Sequence, residues 1–139
     1  MFYHKNNKTV LLAFKEISDI DYCTEALSST GYRMLRASDF MSLIESLVQY
    51  RIDLIISEEE LHGISMDHFI PFLHKYYADI KLIITMKNDS PLIELKIRQY
   101  NVLYVAKWPV NQEILKSVAE KGLERAREKY LYGRSMSLF

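Results

Sequence analysis

Disulfide chemistry is closed to this chain on its own, because its 139 residues include one cysteine, Cys23. No run of about 18 apolar residues occurs, which excludes an ordinary membrane-spanning helix. There is no secretory signal pattern either, and the expected compartment is a reducing cytoplasm. Charge of one sign is lacking too: 18 basic and 18 acidic residues give a formal net charge of zero and a pI near 6.9. That balance offers neither a basic stripe for nucleic acid nor an acidic tail, so no nucleic-acid partner is expected. Glycine-rich phosphate loops, H-E-x-x-H and G-x-S-x-G are all missing. With four glycines and three prolines, and no repeat, low-complexity tract or linker, the chain reads as one domain over residues 1–139. Its core is expected at about 8–128, followed by a helix extension and tail over 129–139. A chain this long can bury a sizeable core without disulfides or metals, and no cofactor is expected.

What is present is an ordinary globular composition, 49% hydrophobic and 26% charged, with a strongly alternating pattern. Four short runs are almost wholly apolar: Val10 to Phe14, Ile52 to Ile56 (broken only by Asp53), Leu82 to Ile84 and Val102 to Ala106. Such runs suit central strands of a parallel sheet, covered on both faces. Tyr32 to Ala37 is interrupted by Arg33 and Arg36 and reads as an edge strand whose charges discourage further pairing. Helical spacing lies between the strands. Ile17, Ile20, Cys23 and Leu27 form one stripe, with Ser18 as N-cap and Gly31 as the left-handed stop. Ser38 caps a second helix carrying Met41, Ile44, Leu47 and Val48. A third carries Phe69, Ile70, Phe72 and Leu73, and Pro71 places its start near Asp67, since proline is tolerated only early in a helix. Ser90-Pro91 opens the fourth, serine at N-cap and proline at N1. Asn111 caps the fifth, with Ile114, Leu115, Val118, Ala119, Leu123 and Ala126. Alternating strands and helices of this length predict an α/β domain, a parallel sheet with right-handed crossovers.

Four local matches narrow this to a resemblance to response-regulator receiver domains. Asp53-Leu54-Ile55-Ile56-Ser57-Glu58 followed by Leu61-His62-Gly63-Ile64 is similar to that family's third strand and following loop. Leu82-Ile83-Ile84-Thr85 resembles the fourth strand with its switch threonine. Val102 to Lys107 resembles the fifth, with Tyr104 as switch aromatic three residues before the family lysine, Lys107. Pro109-Val110-Asn111 resembles the start of the last helix. The resemblance implies a flavodoxin-like (βα)5 three-layer sandwich with five strands in order 2-1-3-4-5. In the family, proline directly follows the lysine, whereas here Trp108 intervenes. A gap-free alignment would put Trp108 at the lysine position and Val105 at the aromatic one. Matching residue types instead favours Lys107 and Tyr104, with a bulge at Lys107-Trp108.

The resemblance also implies an acidic pair for Mg²⁺ after the first strand and an acceptor aspartate after the third. Ala13 and Phe14 stand at the first, Glu58 at the second. Phosphoryl transfer to a carboxylate needs a nucleophile, a cation and in-line placement, and Mg²⁺ takes oxygen ligands. A methyl group and a phenyl ring supply none, and Glu16 alone is a poor replacement. The chain therefore reads as a pseudo-receiver, a signalling domain working through protein contact and not an enzyme. Two rivals stand beside it: an active receiver with a relocated carboxylate, and a small flavodoxin-like ligand-binding or enzyme domain. Glu58-Glu59-Glu60 is either a solvated loop or the source of a Glu58–Lys107 bridge that mimics a phosphorylated aspartate. His62, His68 and His74 lack a metal-ligand spacing, and Cys23 is expected buried and inert. The implied docking surface is that of helix 4, strand 5 and helix 5, for a protein partner or a homodimer. Helix 4 (Leu92, Ile93, Leu95, Ile97, Tyr100) is more apolar than one buried stripe requires, so some of these are expected exposed; Ile93 and Tyr100, with Tyr104 of strand 5, are the expected contacts.

Overall fold

A computed structural model describes residues 8–136, with side chains through Glu124. The elements run β1 (Thr9–Ala13), α1 (Ile17–Ala26), β2 (Arg33–Ala37), α2 (Phe40–Gln49), β3 (Leu54–Glu58), β4 (Glu60–Leu61) and β5 (Ile64–Ser65). They continue as α3 (Met66–Tyr76), β6 (Lys81–Met86), α4 (Pro91–Arg98), β7 (Tyr104–Lys107) and α5 (Gln112–Met136). Five strands form one parallel sheet in the order β2-β1-β3-β6-β7, the expected 2-1-3-4-5 arrangement. The fold is therefore a flavodoxin-like three-layer sandwich.

Strand residues alternate between two cores. Leu11, Ala13, Ile55, Ile84 and Val105 face α2, α3 and α4, while Val10, Leu12, Leu54, Ile56 and Ile83 face α1 and α5. Burial on both faces is why these strands are apolar without a period of two. β2 lies at the edge with its arginines exposed, as its sequence predicts. At the opposite end of the sheet from the candidate site, the Asp53 carboxylate accepts from the Thr9 N–H at 2.8 Å, and the Asp53 N–H donates to the Thr9 carbonyl at 2.9 Å.

The caps on α4 and α5 match expectation. The Ile93 N–H donates to the Ser90 hydroxyl, and the Glu113 and Ile114 N–H groups donate to the Asn111 side chain. Three other helix starts differ. α1 begins at Ile17, because the Glu16 carbonyl already accepts from Asp19 and Ile20, leaving Ser18 inside the first turn. Asp39, not Ser38, caps α2, in a reciprocal capping box with Ser42. α3 begins at Met66, its N–H held by the Glu59 carbonyl at 2.8 Å, so Pro71 lies well inside the helix on its exposed side.

The sequence gives no warning of the two-residue hairpin β4–β5. His62 and Gly63 at its tip have φ of 48° and 79°, the paired left-handed conformation of a tight type I′ connection. Gly122 marks a close approach: a Cβ there would lie 2.3 Å from Leu103 Cδ2. The apolar spacing expected to continue to Ala126, and the tail after it, lies outside the described side chains.

Candidate functional site

The parallel register gathers the carboxyl ends of β1, β3 and β6 at one rim. Ala13 lies opposite Ser57, and Glu58 opposite Thr85. Ala13, Phe14, Glu58 and Thr85 are brought together there as expected, and all four are buried. A shallow pocket of about 250 Å³ opens above them, lined by Lys15, Glu16, Glu58, Glu59, His62 and Lys87 among others.

Glu58 is not part of a solvated loop, and neither is Glu59, which is only 2% exposed; of the three glutamates only Glu60 faces solvent. One Glu58 carboxylate oxygen accepts from the Lys15 backbone N–H, and the other lies 3.7 Å from Lys87 Nζ. Lys87 also ion-pairs with Asp19 in the first turn of α1, and its ammonium sits 5.8 Å from the centre of the Trp108 ring. Burial works against the charge on Lys87, but the Asp19 hydrogen bond and the carboxylates of Glu58, Asp19 and Glu16 outweigh it, and the net effect raises its pKa. Burial pushes the Glu59 carboxyl upward, against the opposing pull of backbone N–H groups that include Asn88 at 3.0 Å. The Glu59 N–H in turn donates to the Thr85 carbonyl. Lys87 and Glu59 thus fasten the segment leading into α4 to the end of β3.

The expected Glu58–Lys107 bridge does not form. Lys107 is 77% exposed at its side chain and its Nζ lies 4.0 Å from Asp89. The ladder runs without a bulge from Ile83–Tyr104 to Met86–Lys107 and continues with the Trp108 N–H on the Met86 carbonyl. Trp108, not Lys107, thus lies at the rim, the placement that the gap-free alignment gives, and Val105 rather than Tyr104 is on the α4 side of β7. Tyr104 packs on the α1–α5 side of the sheet, whereas Val105 packs beneath α4. Strand alternation is the reason: moving one residue along β7 exchanges the two faces. Trp108 caps the rim instead, its ring 5.3 Å from Phe14 and 5.2 Å from Tyr22. The Tyr22 hydroxyl then donates to the Val110 carbonyl at 2.6 Å, which locks this aromatic cluster to the start of α5.

These residues do not fit a Mg²⁺ ion. Ala13 and Phe14 give a methyl group and a phenyl ring, the Asp19 and Glu58 carboxylates are paired with the Lys87 ammonium, and Glu59 accepts from the Asn88 N–H. Glu16 shares the pocket, but the ammonium repels a second cation where oxygen ligands are required. Among the described residues no three His, Cys, Asp or Glu side chains converge as a metal site. His68 is exposed beside Asp67, and His74 packs edge-on to Tyr100. Cys23 is buried, and desolvation, reinforced by Asp19, pushes its thiol up to about 12, far from nucleophilic use.

The expected contacts Ile93, on α4, and Tyr100, just past its end, are instead half-buried against the core. Leu92 and Leu95 are the apolar side chains left exposed, because Ile93 and Ile97 take the inward stripe. Lys87 was the functional-site residue hardest to foresee. Its one signal is position, directly after the end of β6 at Met86, where a long side chain can turn back over the rim.

No protein-family model and no curated protein sequence matches the chain. Solved structures do. It is similar to the signal receiver domain of an HD domain-containing protein from Pseudomonas fluorescens Pf-5, with TM-score 0.81 and 18% identity over 88% of this chain and 99% of that one. The signal receiver domain of a LuxO repressor-type protein from Vibrio parahaemolyticus gives TM-score 0.82 and 18% identity over 91% and 97%. A CheY-like receiver domain protein from Methanospirillum hungatei JF-1 gives 0.81 and 15% over 89% and 99%. At this identity the likeness concerns architecture: the chain has the fold of a CheY-like response-regulator receiver domain.

Proposed function

We propose that this chain is a pseudo-receiver, a signal-transduction module of the cytoplasm that acts by protein contact, without phosphoryl transfer and without being an enzyme. The observation that carries the reading is Lys87. Its ammonium pairs with Glu58 and Asp19, so the positive charge at the rim belongs to the chain itself. Ala13 and Phe14 offer no oxygen ligand, and the Trp108 ring closes the side from which the family lysine would reach. In such a site the segment from Lys87 to Ser90 is held in one arrangement, and α4 follows from it through the Ser90 cap. The expected output surface is α4 with β7 and the start of α5, and Leu92 and Leu95 are its apolar contacts for a protein partner.

Titration of the ¹⁵N-labelled protein with Mg²⁺ and beryllofluoride, a mimic of an acyl phosphate, tests this directly. The amides of Lys15, Glu58 and Thr85 should stay unmoved at millimolar ligand. Saturable shifts at those three would overturn the proposal and favour an active receiver.

A further inference from the structure

The exposed apolar side chains of α2 and α3 share one groove. On α2, Leu43 and Leu47 point into the core, and Met41 and Val48 lie on one flank, 66% and 74% exposed. On α3, Phe72 and Tyr76 lie on the flank of Phe69, 41% and 61% exposed. Phe69 meets Phe40 of α2 edge-on at 4.9 Å and stacks on Phe72 at 5.4 Å, and Phe72 meets Tyr76 at 5.0 Å. At 100° per residue both exposed pairs therefore rim the same α2–α3 groove.

The two rims carry opposite charge. Glu45 lies on the outer side of Met41 and Val48, and α2 has no basic residue. Lys75 lies on the outer side of Phe72 and Tyr76, its ammonium 5.3 Å from the centre of the Tyr76 ring, and the only acid on α3, Asp67, is buried. Neither Glu45 nor Lys75 has an ion-pair partner among the described residues. The Phe40–Phe69 contact sets their relative height. Glu45 lies five residues past Phe40 and Lys75 six past Phe69, about 7.5 and about 9 Å along nearly parallel axes. They are therefore level, on opposite sides of the groove.

We propose that this face docks a second copy of the chain about a two-fold axis running along the groove. That rotation places α2 of each copy over α3 of the other at unchanged height. Glu45 of each copy then meets Lys75 of the other, while Met41 and Val48 lie on Phe72 and Tyr76. An isologous contact of this kind needs one patch complementary to itself, and the opposed rims supply it. The interface is separate from the α4 surface, does not depend on whether the rim accepts phosphate, and leaves α4 free for another protein.

Sedimentation velocity of the full chain across a concentration series is the test. The wild type should dimerise. Glu45→Lys and Lys75→Glu should each weaken dimerisation about tenfold or more, and the double reversal should restore it. Val48→Asp should yield a monomer with an unchanged circular dichroism spectrum, and Met41→Lys provides the same reading should that variant fold poorly. A wild type that stays monomeric at every concentration, even one that binds another protein here, overturns the proposal. So does a dimer that ignores Val48→Asp and is lost with Leu92→Asp, or a double reversal that restores nothing.

Discussion

Replacing Lys87 by Met removes the rim cation while keeping a side chain of similar length. Glu58 would then be left 7% exposed with the Lys15 N–H, and Asp19, 13% exposed, would lose its ion pair. Removing one partner of a fully buried pair costs about 3–5 kcal/mol, whereas an exposed pair contributes about 0–1 kcal/mol. Lys87 keeps 26% of its side chain in solvent, so part of the attraction is screened. The expected loss is therefore intermediate, about 2 kcal/mol, or about 6–8 °C in Tm for a domain of this size. The single tryptophan, Trp108, lies beside Lys87 and reports urea unfolding by its fluorescence. Glu58→Gln in the Lys87→Met background should recover about 1 kcal/mol, because it removes the stranded charge. The cycle of the two substitutions should show coupling of similar size. A loss below about 0.5 kcal/mol, or a cycle with no coupling, would mean that Lys87 merely lies near the rim.

Two further outcomes follow from the same geometry. Burial raises the Glu59 pKa, so the folded chain holds that proton to higher pH than the unfolded chain does. The stability tied to it is present at acid pH and lost as pH rises through the raised value. Stability curves of Glu59→Gln should therefore gain on the wild type as pH rises from the carboxylate range towards neutrality, and parallel curves would contradict the assignment. Trp108→Ala should cost about 3 kcal/mol by emptying the contact with Phe14 and Tyr22, while Trp108→Phe should cost clearly less. Equal losses measured by circular dichroism would show that the ring itself does not close the rim.

The fold was legible because its signals are local and repeated. Doubly covered strands have to be apolar throughout, and Ser90-Pro91 and Asn111 name their helix starts chemically. Where two cap residues adjoin, as Ser38 and Asp39 do, the sequence could not choose; the Ser42 side chain decided for Asp39 by completing the box. Pro71 misled in a different way. The Glu59 carbonyl and the hairpin at His62-Gly63 fix where α3 starts, and both are tertiary facts. At the site, Ala13, Phe14, Glu58 and Thr85 come together where the resemblance implied, because strand register carries them to one rim. Lys107 does not reach Glu58, and Tyr104 faces α1 and α5; matching residue type ahead of register misses this, because one step along a strand exchanges its faces. Lys87 escaped notice because its role depends on where a flexible side chain turns, which no periodicity records.

The central claim is that the rim, filled by the chain's own ammonium and aromatic rings, accepts no phosphoryl group. Intact-mass measurement after incubation with acetyl phosphate and Mg²⁺ tests it most directly. Only the unmodified mass should appear, for the wild type and for Glu58→Gln alike. A stoichiometric phosphate adduct on the wild type that disappears in Glu58→Gln would contradict it.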